Sequence, residues 1–256
     1  LAAGVLAGVM MDSGAAETLA RTIINKLGDR MAIFSLAFAT MVITAVGVFI
    51  PVAVLIVAPI ALEVGQRLKI SKLALLVALS GGGKAGNIIS PNANTIAAAK
   101  GFGVELSQVM IADFIPALVA LVVTVIVASL IKSRGDAVTS ADLTDRKQVD
   151  EKELPTLAQS LVTPVLAIIF LMLNPLGAIF HIEALTKVNI DAAYVLPVAA
   201  VIGALAMHKG KFLREYAQTG ISRMTAVVMI LIGAGAIGAT ITSSNLPALM
   251  IAGIKA

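Results

Sequence analysis

The chain has no cysteine and no tryptophan. Without cysteine there can be no disulfide and no thiolate metal site. His181 and His208 are its only histidines, and they lie in separate parts of the chain, so a histidine-based metal site is not expected. No cofactor is expected. Charge is also scarce, at 13% of residues, against about 25% in soluble domains. That scarcity excludes a disordered chain, a nucleic-acid-binding arm and an ordinary soluble enzyme. What the sequence has instead is 59% hydrophobic residues and a mean hydropathy of +0.99.

The apolar residues come in blocks at 1–11, 31–65, 73–80, 95–99, 108–131, 159–180, 191–207 and 225–242. A helix needs about 20 apolar residues to cross the hydrocarbon core, and only helices and closed barrels can do so. The blocks therefore predict an all-α polytopic membrane protein, integral to a membrane and in contact with lipid. The chain opens on Leu1 in an already apolar run, so it reads as a piece of a longer protein. Block 31–65 contains Gly47, Pro51 and Pro59. Its length and its helix-breaking prolines predict a re-entrant hairpin with its tip near Gly47–Pro51. Segment 73–99 predicts a broken helix. Leu73–Leu79 is apolar, Ser80–Thr95 reads SGGGKAGNIISPNANT, and apolar residues follow. An unwound stretch of that kind cannot face lipid, because its N–H and C=O groups would go unsatisfied.

Residues 132–158 form the one long polar stretch and predict a solvated linker. Residues 12–30 and 208–224 are amphipathic and are expected to lie at the membrane surface. With 31–65 returning to its own side and 73–99 crossing once, segments 12–30, 66–72, 132–158 and 208–224 share a side. They hold fifteen of the nineteen basic residues, while Lys100, Lys187 and Lys255 lie opposite and Lys84 falls in the break. By the positive-inside rule the first set is cytoplasmic.

A shift of 231 positions lays LAAGVLAGVMMDSG (1–14) on IGAGAIGATITSSN (232–245). Ala3 meets Ala234, Gly4 meets Gly235 and Ser13 meets Ser244. The two copies are expected to run in opposite directions, as in inverted-repeat carriers. The organisation follows: a first repeat at 1–131, a cytoplasmic linker at 132–158, and connecting spans with the start of a truncated second repeat at 159–256.

The order of motifs carries a family resemblance. A small-residue helix ending in DSG (12–14) precedes FIPVAVLIVAPIALEVG (49–65), GGGKAGNIISPNANTIAAAKGFGVEL (81–106) and IADFIPALV (111–119). Later comes GKFLREYAQTGISRM…ILIGAGAIGATITSSN (210–245). The chain resembles the gluconate permease family of proton-coupled sugar-acid symporters, within the wider ion transporter superfamily. The resemblance implies an inverted-repeat secondary transporter of the bacterial inner membrane, with a small hydroxylated carboxylate as substrate and a proton as coupling ion. It also implies that hairpin tips and breaks form the site, here Gly47, Val48 and Phe49 together with the 81–95 stretch.

The residues of 81–95 support a site by their own chemistry. A helix beginning near Asn94 or Thr95 would point its positive end into the break, where a carboxylate is favoured. Asn87, Asn92 and Asn94 donate and accept, and Ser90 and Thr95 add hydroxyls. Gly81, Gly82, Gly83 and Gly86 would let the backbone approach a ligand. Lys84 either neutralises a substrate carboxylate or extends to the cytoplasmic face. Asp12 and Asp113 are the candidates for carrying a coupling proton, or else they sit at the membrane interface. Three other readings compete with a proton symporter: a sodium-coupled carboxylate transporter of the same superfamily, an anion channel, and a purely structural membrane module. Homo-oligomerisation is open. An enzyme is not expected, because the chain has no paired intramembrane acids, no Cys–His pair and no HExxH.

Overall fold

The computed structural model describes residues 1–143, 154–182, 191–245, 249 and 251–253. The middle of the linker with Arg146, Lys147 and Lys152, the stretch 183–190 with Lys187, and Lys255 lie outside the described residues. Among the described residues the fold is helical, with one isolated antiparallel bridge between Ser71 and Ala137.

Helix α1 spans Ala2–Asp12, and α2 spans Ala15–Leu27. The second is amphipathic: Ala15, Ala16, Leu19, Ala20 and Ile24 are buried, while Glu17, Arg21 and Lys26 lie off that face. Glycines in left-handed conformations bound it, Gly14 (φ +81°) and Gly28 (φ +67°). The chain then turns sharply, by 105°, into α3 (Ala32–Ala45). A break at Val46–Phe49 leads to α4 (Ile50–Leu68), which has 19 residues and is long and apolar enough to cross a membrane by itself. Pro51 sits in its first turn, where the missing N–H costs nothing. Pro59 lies in its interior, and Pro51, Leu55, Pro59 and Glu63 form one exposed stripe at four-residue spacing.

Helix α5 runs from Lys72 to Ile88, capped by the Ser71 side chain, which accepts from the Ala74 N–H at 3.2 Å. A 40° bend separates it from α6 (Ala93–Phe102). Next come α7 (Leu106–Ala112), a 43° bend at Asp113, and α8 (Phe114–Leu130), so block 108–131 is a bent pair and not one straight span. Beyond the linker lie α9 (Leu157–Ile179), α10 (Ala192–Ala206) and α11 (Leu213–Thr242). Helix α11 corrects the expectation for 208–224. From Leu213 onward that stretch is the first half of a continuous 30-residue helix and not a separate surface element. Its polar end packs against α1.

Close helix contacts are made through small residues. Gly4 and Gly8 of α1 abut the backbone of α11 around Tyr216 and Gly220, antiparallel. Gly82 and Gly86 of α5 abut the carbonyls of Ala37 and Met41 on α3, parallel. Each pair has glycines four apart, the spacing that lets helix backbones approach within apolar surroundings.

One end of the bundle collects the polar connections. Asp29, just before α3, pairs with Arg67 in the last turn of α4, so the two ends of the 31–65 segment meet. Lys72 pairs with Asp142 at 2.7 Å, and the Ser71 N–H donates to the Lys132 carbonyl at 2.8 Å. Thr18 Oγ1 donates to the Pro155 carbonyl, and Lys209 Nζ donates to the Ser13 carbonyl, both at 2.9 Å. Segments 12–30, 66–72, 132–143, 154–160 and 208–216 are thus gathered at the same end. Lys100 lies in the last turn of α6, at the far end of the α5–α6 pair.

Candidate functional site

The break between α5 and α6 is narrower than its composition predicts. Residues Ser80–Ile88, glycines included, are helical, and only Ile89–Asn92 leave the helix. Glycine costs about 1 kcal/mol relative to alanine in a helix interior, which is why the GGGKAG run predicts a loop. Packing overrides that cost. A Cβ on Gly82 or Gly86 would overlap the α3 carbonyls, and one on Gly81 would overlap the Thr124 side chain of α8. Gly81, Gly82 and Gly86 therefore serve helix–helix approach. Gly83 is also buried and lies beside Ile50 and Thr40.

The four unwound residues are tied together by one side chain. Asn92 is the N-cap of α6, and its Oδ1 accepts from the backbone N–H of Asn94 (2.7 Å) and Thr95 (3.3 Å). Its Nδ2 donates to the Asn87 carbonyl and to Ser90 Oγ, both at 2.6 Å. Ser90 Oγ donates to the same Asn87 carbonyl at 3.0 Å, and Thr95 Oγ1 does so at 3.4 Å. Ser90, Asn92 and Thr95 are all buried. The positive end of α6 is consequently not open: two of its free amides are already capped from within.

Other polar groups of the segment point outward. On α5, Leu73, Leu76, Ser80, Lys84 and Asn87 follow one another along the less buried side of the helix. This stripe is apolar near Lys72 and polar beyond it. Lys84 and Asn94 are exposed, Asn87 is half-buried, and none of the three side chains makes a hydrogen bond or ion pair with the described residues. Lys84 lies twelve residues beyond Lys72, about 18 Å along the helix, within reach of the middle of a hydrocarbon core about 30 Å thick. Sequence reasoning passed over Ser80; its spacing of four residues before Lys84 is the signal that places it on this face.

The second break sits next to the first. Gly47 adopts φ +103°, a conformation that favours glycine, and its N–H donates to the Thr44 carbonyl at 3.0 Å. Val48 is buried, and Phe49 is half-buried as the N-cap of α4. Because α5 packs on Thr44 through Gly86 and on Ile50 through Gly83, the Gly47–Phe49 break adjoins the end of α5. The structure thus brings Gly47, Val48 and Phe49 near the Gly82–Asn87 turns.

The two acids are elsewhere. Leu6 of α1 touches Gly47, and Asp12 lies six residues further toward the basic end, about 9 Å along the helix. There its carboxylate faces Arg223 at 4.0 Å, with Thr219 and Glu215 nearby. Asp12 and Arg223 also line an open cleft of about 1540 Å³ between α2, α3 and α4, together with Arg21, Asn25, Glu63 and Arg67. The cleft includes none of the residues of the α5–α6 break. Arg223 and Glu63 are additions to the expected polar set, and Glu63 is legible as the lone acid in the apolar 49–65 run. Asp113 is half-buried at the α7–α8 bend and caps no helix with its side chain. Among the described residues no cluster of three or more His, Cys, Asp or Glu side chains could hold a metal ion.

Comparison with known proteins identifies the family of the chain. The chain is 44% identical over its full length to an uncharacterized transporter of Haemophilus influenzae, of which it covers 58%. It is 27% identical to an uncharacterized permease of the same organism, over 80% of this chain and 45% of that protein. It is 22% identical to the high-affinity gluconate transporter of Escherichia coli K12, over 91% of this chain and 54% of that protein. The chain thus spans about half the length of the curated relatives it matches. No solved structure matches it. The model of the GntP family permeases matches residues 1–254, and the chain belongs to that family.

Proposed function

We propose that the full-length protein is a proton-coupled symporter of small organic anions, gluconate or related hydroxy acids, in the bacterial inner membrane. The carrying observation is the polar stripe Ser80–Lys84–Asn87 with Asn94. A lysine on a lipid-facing surface at that depth would cost about 2.5–3.5 kcal/mol on insertion scales. Such a stripe therefore belongs against protein or water. A cation flanked by amides and a hydroxyl matches a carboxylate bearing hydroxyl groups. The Gly47–Phe49 break completes one wall of the site. The gluconate transporter among the relatives supports the substrate class.

In this reading the two ends of 31–65 lie on the cytoplasmic side as a re-entrant hairpin, along with the rest of the basic end. The antiparallel course of α1 and α11 supports an inverted repeat, in which each half supplies a hairpin and a broken helix and substrate binds between them. The 256 residues then hold one half of the site and do not transport alone. Asp12, beside Arg223 in the cleft, and Asp113, at a helix bend, are the groups that would carry the coupling proton.

The test is uptake of labelled gluconate into proteoliposomes containing the full-length protein. Uptake driven by an inward proton gradient, unaffected by a sodium gradient and lost in Lys84→Met, is expected. Uptake that follows sodium, or that survives Lys84→Met unchanged, would overturn the assignment of the ion or of the residue.

A further inference from the structure

The capping network at the α5–α6 break separates two roles that composition alone runs together. An asparagine side chain has two N–H donors and one carbonyl oxygen with two lone pairs. In Asn92 both lone pairs accept from backbone amides of the first turn of α6, and both donors are used, on the Asn87 carbonyl and on Ser90 Oγ. The amide orientation is fixed by chemistry, because backbone N–H groups require an oxygen and the Asn87 carbonyl requires a donor. No hydrogen-bonding capacity remains for a ligand, and the residue is only 2% exposed. Asn94, two residues on, is exposed and makes no such bond.

We infer that Asn92 is a positioning residue and does not touch substrate. One side chain satisfies orphan groups of two helix ends at once: a carbonyl in the last turn of α5 and two amides in the first turn of α6. It thereby pins the 40° bend and sets where Asn94, on α6, stands relative to Lys84 and Asn87, on α5. Ser90 and Thr95 converge on the same Asn87 carbonyl and brace the joint.

The uptake arm of the test rests on the transporter reading above; a second arm does not. In the full-length protein, gluconate and its 2-deoxy analogue are compared for the parent, Asn92→Ala, the isosteric Asn92→Asp, which keeps the acceptor and loses the donor, and Asn94→Ala. A residue that contacts a substrate hydroxyl alters the ratio between the two acids, whereas a positioning residue does not. Both Asn92 variants are expected to lower uptake of both acids by the same factor, on the order of tenfold for a small misplacement of binding groups, leaving the ratio unchanged. A ratio flattened by Asn92→Asp would overturn the inference. For the second arm, spin labels are placed on Leu76→Cys and Lys100→Cys; these 256 residues hold no cysteine, and any cysteine elsewhere in the full-length protein is first replaced by serine. Asn92→Ala should broaden the distance distribution across the bend, and Asn94→Ala should leave it as in the parent. If the protein takes up no sugar acid, this arm decides alone: an unchanged distribution in Asn92→Ala overturns the positioning role, and a broadened one supports it.

Discussion

Residues 1–14 and 232–245 carry similar runs of small side chains in opposite surroundings. In α1, Gly4 and Gly8 press against α11, and Leu6, Val9 and Met10 are fully buried. In the far half of α11, a Cβ on Gly233, Gly235 or Gly238 would meet nothing from another helix among the described residues, and Ile232 and Ile237 are more than 60% exposed. The local sequence is alike and the packing is not. A run of small residues permits close helix contact, but the contact exists only where a partner backbone is supplied. The packed run is therefore an internal control for the open one.

The largest test of that contrast is a bulky side chain in each copy. Gly8→Leu forces α1 away from α11 and should cost about 1–3 kcal/mol or more by overpacking, seen as a lower midpoint of thermal unfolding in detergent. Gly235→Leu in the same 256-residue chain should stay within about 0.5 kcal/mol of the parent. Equal losses would break the comparison. In the full-length protein Gly235→Leu is expected to approach the Gly8→Leu loss, which would sharpen it.

A second test uses the other open surface, the polar face of α5 and α6. Asn94→Ala should weaken substrate affinity in the full-length protein by about ten- to a hundredfold, the loss of one hydrogen bond to a charged group. Insertion and unfolding should be unaffected, unlike Gly8→Leu. Equal affinity by equilibrium binding would mean that this face is as silent toward substrate as the far half of α11 is toward packing.

Smaller effects are expected where both partners are exposed. The Asp29–Arg67 pair clasps the ends of the 31–65 segment, and both side chains are about half exposed. Arg67→Ala should cost no more than about 1 kcal/mol, and less at high salt. Asp142 is held down at about 2 by hydrogen bonds from the Lys72 side chain and from Thr139. Its ordinary value is 3.8, so this contact helps fully above that pH and is lost as pH falls through about 2. In Lys72→Met the carboxyl should titrate closer to its ordinary value, as read from its carbon chemical shift.

The apolar blocks made most of the helices legible, because the length of an apolar run and its helix-breakers are direct consequences of the bilayer as solvent. The break in 73–99 was legible too, through its proline and asparagines. Its extent was not. Gly81, Gly82 and Gly86 stay helical because the α3 backbone and the Thr124 side chain of α8 occupy the room their missing side chains leave, and no local propensity encodes that. The start of α11 escaped for the opposite reason: Arg214, Glu215, Arg223 and their neighbours signal a surface helix, yet they continue without a break into an apolar one. The dual cap by Asn92 depends on the separation of two helix ends, which spacing alone does not give.

Pro59 has a mechanical consequence. Lacking an N–H, it cannot supply the helical hydrogen bond to the Leu55 carbonyl, so α4 is most compliant there. Below this joint the helix is anchored by Arg67, and above it Ile50 rests on α5 at Gly83. The upper arm is nine residues, about 14 Å long. A flex of about 10° at Pro59 would therefore displace the Ile50 end by about 2 Å. Helix α4 would then act as a lever whose fulcrum lies within its apolar run, with its short travel delivered beside the junction of the two breaks.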